Sequence, residues 1–458
     1  MESTSIVGQQ PSAEDNPAGI AQQQEIAADA LQEARRLGAS SAEVAISSSA
    51  GLSVNVRMGE VETIEHTRDK GLGVSVYVGH KKGSASTTDF SSRAIKECVA
   101  AACGIARHTS EDEYAGLADA ALMATEIPDL DLHHPWAMGP EAAIEVALET
   151  EAAARDLDSR IVNSEGAGVS RLEGIQVYAN SHGFNAGYAS SRHSISCAVI
   201  AGDDGGMQRD YWYSLSRDPR QLEKAEDIGT RAAQRSLARL GARRLSTRSV
   251  PVLFAAEIAS GLLGHFINAV RGGNLYRKAS FLVDALGKAV FPGHVRIHEQ
   301  PHLPAAVGSS AYDSEGVATR SRDLISDGVL QGYVLSSYSA RKLGMQTTAN
   351  AGGVHNLTAD PSPGEADLDA LLASMGTGLY VTELMGMGVN TLTGDYSRGA
   401  SGYWVEAGAI QFPVEEITIA GNLRDMFLGI QAIGADQDKR GNTRTGSVLI
   451  DKLTVAGT

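Results

Sequence analysis

The sequence predicts an α+β protein, with an N-terminal two-lobed region of helices and antiparallel sheet followed by a β-rich, Gly-rich C-terminal domain. Three observations predict it. Apolar and polar residues alternate with period two over long N-terminal stretches. The order helix, strand meander, helix occurs twice in those lobes. Glycine is abundant, 50 of 458 residues, and the chain beyond residue 249 is full of it, the mark of many turns between strands.

Residues 1–20 read as a disordered acidic leader with no basic start and no apolar core, unlike a secretory signal. The first α+β domain spans 21–120. "AQQQEIAADALQEARRL" places Ile26, Ala30, Leu31 and Leu37 at helical spacing, and Gly38 stops the helix. Val44, Ile46, Leu52, Val54 and Val56 then alternate as strand residues, and "GLGVSVYVGHKKGSASTTD" continues through a hairpin turn. Helix returns at "SSRAIKECVAAACGIARH". The second α+β domain, 121–245, repeats the order. Pro140 opens its first helix, strands follow, and "QLEKAEDIGTRAAQRSLARL" closes it. The strand links are too short for crossover helices, so the sheets are antiparallel. "GARRLSTRS" at 241–249 reads as a polar linker. The C-terminal domain, 246–458, is expected to be barrel-like or sandwich-like, with helical patterns at 254–270, 336–343 and 366–375.

The net charge of −16 disfavours nonspecific nucleic-acid binding, which needs a basic surface. The densest basic stretch, Arg231 to Arg248, reads as the solvated face of a helix running into a linker. Three cysteines, Cys98, Cys103 and Cys197, are too few and odd in number for a disulfide framework. They fit a reducing compartment and buried thiols. The longest apolar run is broken by Glu257, His265 and Asn268, which argues against a membrane span. The expected location is the cytoplasm.

Candidate chemistry begins with "FAAEIASGLLGHF" at 254–266, which carries an acid and a histidine on helical spacing. Glu257 and His265 are eight residues apart, roughly 12 Å of helix rise, too far to share a zinc. On spacing alone this is a buried helix with one acid and one histidine. His294, His298 and His302 fall four apart, but flanking prolines and alternation make the segment a strand and its exit. Residues four apart on a strand lie roughly 13 Å from each other, so a shared metal is out of reach. Asp313 and Glu315 would face one way on a strand, about 7 Å apart, a spacing useful for acid/base work. The competing reading is a solvated turn at Gly316. The glycine-rich stretch 376–408 holds neither a P-loop nor a dinucleotide-binding loop. Its glycines serve tight turns and close backbone approach. Such approach is also what an extended peptide needs when it adds to a sheet edge, which makes Gly394, Ser397, Gly399 and Gly402 peptide-binding candidates.

Several longer stretches carry a resemblance. They include "YDSEGVATR" (312–320), "GLYVTELMGMGVNTLTGDYSRGASGYWVEAG" (378–408) and "EITIAGNLRDMFLGIQAIGAD" (416–436). With "GASSAEVAISSSAGLSVNVRMGEVETIEHTRDKGLGVSVYVG" (38–79), they cover nearly the whole chain from about residue 21. The chain resembles the TldD/PmbA family of zinc metalloproteases, in its PmbA/TldE branch. That resemblance implies a cytoplasmic heterodimer acting on unfolded or modified peptides. In the TldD branch a His-Glu-x-x-x-His helix and a later cysteine hold a catalytic zinc. Aligned on that helix, the ligand positions here are Ala256 and Gly261, Glu257 keeps the acid, and no cysteine follows Cys197. The resemblance therefore implies no metal ligands in this chain, no cofactor of its own, and zinc in a TldD-type partner. Glu257, Asp313 and Glu315 remain the catalytic candidates. Two readings of other kinds stay open. One is a homodimeric, non-enzymatic peptide-binding module. The other is a stand-alone peptidase with a different metal site.

Overall fold

The computed structural model describes residues 15–457, with side chains from Gly19 onward. The expected leader falls mostly outside the described residues, and its last six residues, 15–20, already belong to a helix, α1 (Asp15–Arg36).

One six-stranded antiparallel sheet organises the N-terminal half. The first three strands are β1 (Ser41–Arg57), β2 (Glu60–Val78) and β3 (Lys81–Thr87), followed by helices α2 (Ser92–His108) and α3 (Pro140–Arg155). Next come β4 (Ile161–Asn180), β5 (Asn185–Asp203), β6 (Gly206–Ser216) and helix α4 (Ala225–Ala238). The strand order is β3-β2-β1-β4-β5-β6, so β1 pairs β4 and the two expected lobes share a single sheet. Val44 and Ile46 of β1 bury against α1 and α2. Leu52 and Val54 of the same strand bury against α3 and α4. All four are even-numbered, so the two helix pairs lie side by side on one face of the sheet. Gly229 lets α4 approach α3, because a Cβ there would stand 2.0 Å from the Thr150 carbonyl oxygen.

The C-terminal half begins with β7 (Arg248–Phe254), α5 (Ala256–Val270) and α6 (Gly272–Tyr276). The expected linker at 241–249 lies along a later strand, where the Arg243 N–H donates to the Pro413 carbonyl. A small sheet follows, from β8 (Ile297–Glu299), β9 (Arg322–Ser326), β10 (Val329–Leu330) and, after α7 (Ser337–Lys342), β11 (Leu357–Ala359). Then come α8 (Leu368–Met375), β12 (Gly378–Met385), β13 (Asp395–Glu406), β14 (Ala409–Asn422), α9 (Leu423–Leu428) and β15 (Ile430–Ile433). The strands end with β16 (Thr443–Arg444), which joins the small sheet beside β11, and β17 (Val448–Ala456). The larger sheet runs β14-β13-β12-β7-β17-β15, and β14 also pairs β17, so its first five strands close on themselves. Of the two expected forms, barrel-like and sandwich-like, this is the barrel. Its interior and flanks hold the largest core, including Phe254, Phe266, Phe291 and Phe427. Among the described residues no helix is long and apolar enough to cross a membrane.

Candidate functional site

Helix α5 leaves the barrel directly after β7, so its first turn sits at the barrel's end. Buried Leu262, Leu263, Phe266 and Ile267 dock the helix on the core. Its other side is sparse. At Gly261 an added Cβ would meet nothing within 4 Å, and Ala256 is a buried methyl. Neither position offers a donor. Glu257, in the first turn where a carboxylate suits the helix dipole, accepts from the Arg235 guanidinium at 2.9 Å.

Arg235 also donates to Asp210 at 3.1 Å. Arg239 lies 3.5 Å from the second Asp210 oxygen and 2.6 Å from Glu383 on β12. Burial pulls the Arg235 pKa down, but the carboxylates of Asp210 and Glu257 outweigh it and the net shift is upward. The guanidinium of Arg231 lies 3.8 Å from the Trp212 ring centre, and Arg440 lies 4.0 Å from it. The basic run is therefore a solvated face only in part: Arg231 is exposed, whereas Arg235 and Arg239 are drawn into ion pairs. Arg231, Arg235 and Arg239 recur every four residues, on one side of α4, and that side faces β6, α5 and β12. The four-residue recurrence was the available signal. Its acidic partners, Asp210 and Glu383, lie too far along the chain to be read with it.

Asp313 and Glu315 are on a turn, not a strand, which corrects one of their two expected settings. The turn bends at Gly316, as the competing reading had it, but Asp313 is not solvated in it, being 2% exposed. One Asp313 oxygen accepts from the Glu315 and Val317 N–H groups at 2.9 and 3.0 Å, the other from Ala351 at 2.9 Å. Burial raises its pKa to about 7, against the pull of those backbone donors. Glu315 instead accepts from the Ser337 N–H at 2.9 Å. The two acids line adjoining cavities of about 650 and 820 Å³ between the N-terminal sheet and the C-terminal loops, and Glu257 lines neither.

The three histidines part company as spacing requires. His298 pairs Asp360 at 2.8 Å, His302 meets Thr319 at 3.0 Å, and burial lowers the His294 pKa. His265 packs edge-on to Tyr396 and is also lowered, by burial and by Arg398. Cys98, Cys103 and Cys197 are free, buried thiols. Gly394 holds a φ of +86° at a turn, and Ser397 donates its N–H to Gly388 at 2.7 Å. Gly399 and Gly402 pair on both sides, with β12 and β14, so no sheet edge is open there. A Cβ at Gly402 would stand 1.9 Å from the Tyr380 oxygen. Among the described residues no group of three or more His, Cys, Asp and Glu could hold a metal ion. The residues present on α5 do not fit a zinc ion.

A strand-closed barrel bearing a peptidase-like helix without metal donors, joined to a helix-covered antiparallel sheet, defines the class. Comparison with known proteins specifies it. Residues 42–106, 133–240 and 247–457 match, in turn, PmbA/TldA metallopeptidase domain 1, the central domain and the C-terminal domain. The chain belongs to the PmbA/TldD metallopeptidase family. It is 50% identical to the metalloprotease PmbA of Escherichia coli O157:H7, over 91% of this chain and 92% of that one. Its identity to the metalloprotease TldD homologue of Haemophilus influenzae is 25%, over 85% and 87% of the two chains. A crystal structure from Bacteroides thetaiotaomicron, described as a candidate modulator of DNA gyrase, superposes with a TM-score of 0.90 at 28% identity, covering 95% of this chain and 99% of that one. TldE from Thermococcus kodakarensis shares the fold, with a TM-score of 0.80 at 18% identity over 94% and 100% of the two chains.

Proposed function

We propose that this chain is the zinc-free, PmbA/TldE-type subunit of a cytoplasmic metallopeptidase. A TldD-type homologue would supply the zinc and the hydrolytic water, and this chain would help to wall the chamber that receives unfolded or modified peptides. One observation carries the reading. On the helix where the family resemblance places a metal, the ligand positions are Ala256 and Gly261, and the retained acid Glu257 is tied to Arg235 at 2.9 Å. A carboxylate whose oxygen already accepts from a guanidinium is poorly placed as a general base, because that oxygen is occupied. The relative sharing half of this sequence is named a metalloprotease, and a zinc-bearing partner reconciles that name with the missing donors. The test is reconstitution. The chain is purified alone and with a TldD-type homologue, and peptide cleavage is followed. The expected result is cleavage only by the mixture, unchanged within about twofold by Glu257→Gln, since a group outside the chemistry has little transition-state energy to lose. Robust cleavage by the lone chain, or a mixture silenced by Glu257→Gln, contradicts the reading.

A further inference from the structure

Strand β6 ends at Ser216, and the next residue, Arg217, reaches from the N-terminal sheet to the loops of the C-terminal half. Its Nε–H donates to the Ala306 carbonyl at 3.0 Å, one Nη1–H to Ser191 at 3.1 Å and one Nη2–H to Val307 at 2.8 Å. All three acceptors are neutral backbone oxygens. The adjacent acid, Asp218, is committed to Arg220 at 2.9 Å, and no carboxylate among the described residues pairs with Arg217. Burial lowers the Arg217 pKa, the mark of a cation without a counter-ion, yet a guanidinium stays charged at neutral pH. It has five N–H donors in all. Three are used, which leaves one on each terminal nitrogen. Two such N–H groups are what the two oxygens of a carboxylate accept.

Arg217 lines the cavity of about 650 Å³ between the two halves. Exposed Ser314 and Gly352 lie on the same wall, so solvent reaches it. The other acid and base on that wall do not answer the guanidinium. Both oxygens of Asp313 are taken by backbone N–H groups. Burial lowers the pKa of His355, whose Nε2 lies 3.2 Å from the Ala349 oxygen. The cavity of about 820 Å³ adjoins this one and shares Tyr178, Ser314 and Ala351 with it. Its acids are of two kinds. Glu43 is answered by Lys82 at 3.4 Å and Asp112 by Lys342 at 3.6 Å. Glu315 takes the Ser337 N–H and forms no ion pair among the described residues. An unanswered cation in one cavity thus adjoins an unanswered carboxylate in the next. A peptide with free ends carries the complementary pair, whereas a small carboxylate matches the cation alone.

We infer that these two cavities bind a short peptide with free ends, its C-terminal carboxylate on Arg217 and its N-terminal ammonium toward Glu315. The site lies apart from Glu257 and needs neither zinc nor a partner, so it stands or falls separately from the peptidase reading. The test is calorimetric titration of the full chain with alanine peptides of two to six residues. The free-ended peptide should bind about tenfold or more tighter than its C-terminal amide, because amidation removes a charge-assisted pair of hydrogen bonds. It should also bind more tightly than its N-acetyl form. R217Q should erase the first difference and E315Q the second. Arg217 also braces three carbonyls, so circular dichroism checks that R217Q is folded, and the comparison of acid with amide on the parent chain stands without that variant. A brace with no ligand role would not tell the acid from the amide. Equal affinity for acid and amide, indifference to N-acetylation, no binding of any peptide, discrimination that survives in folded R217Q, or acetate binding as tightly as the peptide overturns the proposal.

Discussion

Arg235 shows how much one side chain decides at the α4–α5 junction. It answers two carboxylates, Asp210 and Glu257, and its loss leaves Glu257 without its ion-pair partner and Asp210 with Arg239 alone, at 3.5 Å. The pair is only partly shielded, with side chains 24% and 27% exposed for Arg235 and Glu257, so the cost falls below that of a fully buried pair. Arg235→Ala should destabilise by about 2 kcal/mol, read as a lower urea midpoint at unchanged m-value. Asp313 makes a prediction of another kind. Its folded pKa, about 7, lies above the value of about 4 for an unfolded aspartate. The folded state therefore binds the proton more tightly, and stability falls as pH rises from about 4 to about 7, then levels off. Asp313→Asn cannot titrate, so its stability relative to the parent should improve steadily across that window. A constant difference would show that Asp313 is not the titrating group.

At the scale of elements, α5 and the α3–α4 pair give opposite answers to the same substitution. Gly261 lies inside α5 with nothing near its missing Cβ, so Gly261→Ala should raise stability by up to about 1 kcal/mol through helix propensity. Gly229 lies inside α4 with the Thr150 oxygen 2.0 Å from the place of its Cβ. Gly229→Ala should cost about 1–3 kcal/mol by forcing the helices apart. Thermal melts of the two variants, run together, check the contrast. The elements themselves were largely legible. Period-two alternation located β1 and the β4–β6 meander, and helical spacing located α2 to α5, because each pattern is set by local packing against one core. What local pattern cannot carry is distance along the chain. Asp313 is buried with an N–H lent by Ala351, thirty-eight residues on, and no spacing near "AYDSEGV" announces that. The arginines of α4 read as solvated because Asp210 and Glu383 come from strands far from them in sequence. Gly399 and Gly402 suggested an open edge, whereas β12 and β14 occupy both sides of β13.

At the scale of the whole molecule, a closed barrel carries the donor-poor helix α5, and a long sheet joins it. Cavities lie between the two, walled by Tyr77 and Tyr178 from the sheet and Glu315 from the C-terminal half. The family explains the layout, and the side chains of α5 leave it without metal donors. Ala256 and Gly261 offer no ligand atoms, Glu257 is committed to Arg235, and the last cysteine in the chain is Cys197, buried in the N-terminal sheet. If, as proposed, the zinc belongs to a partner, the isolated chain holds none of its own. This is tested most directly by the metal content of the isolated, folded chain after dialysis against zinc-containing buffer, measured by mass spectrometry of the metal. The expected result is zinc far below one ion per chain. A stoichiometric, tightly held zinc ion in the lone chain would contradict it.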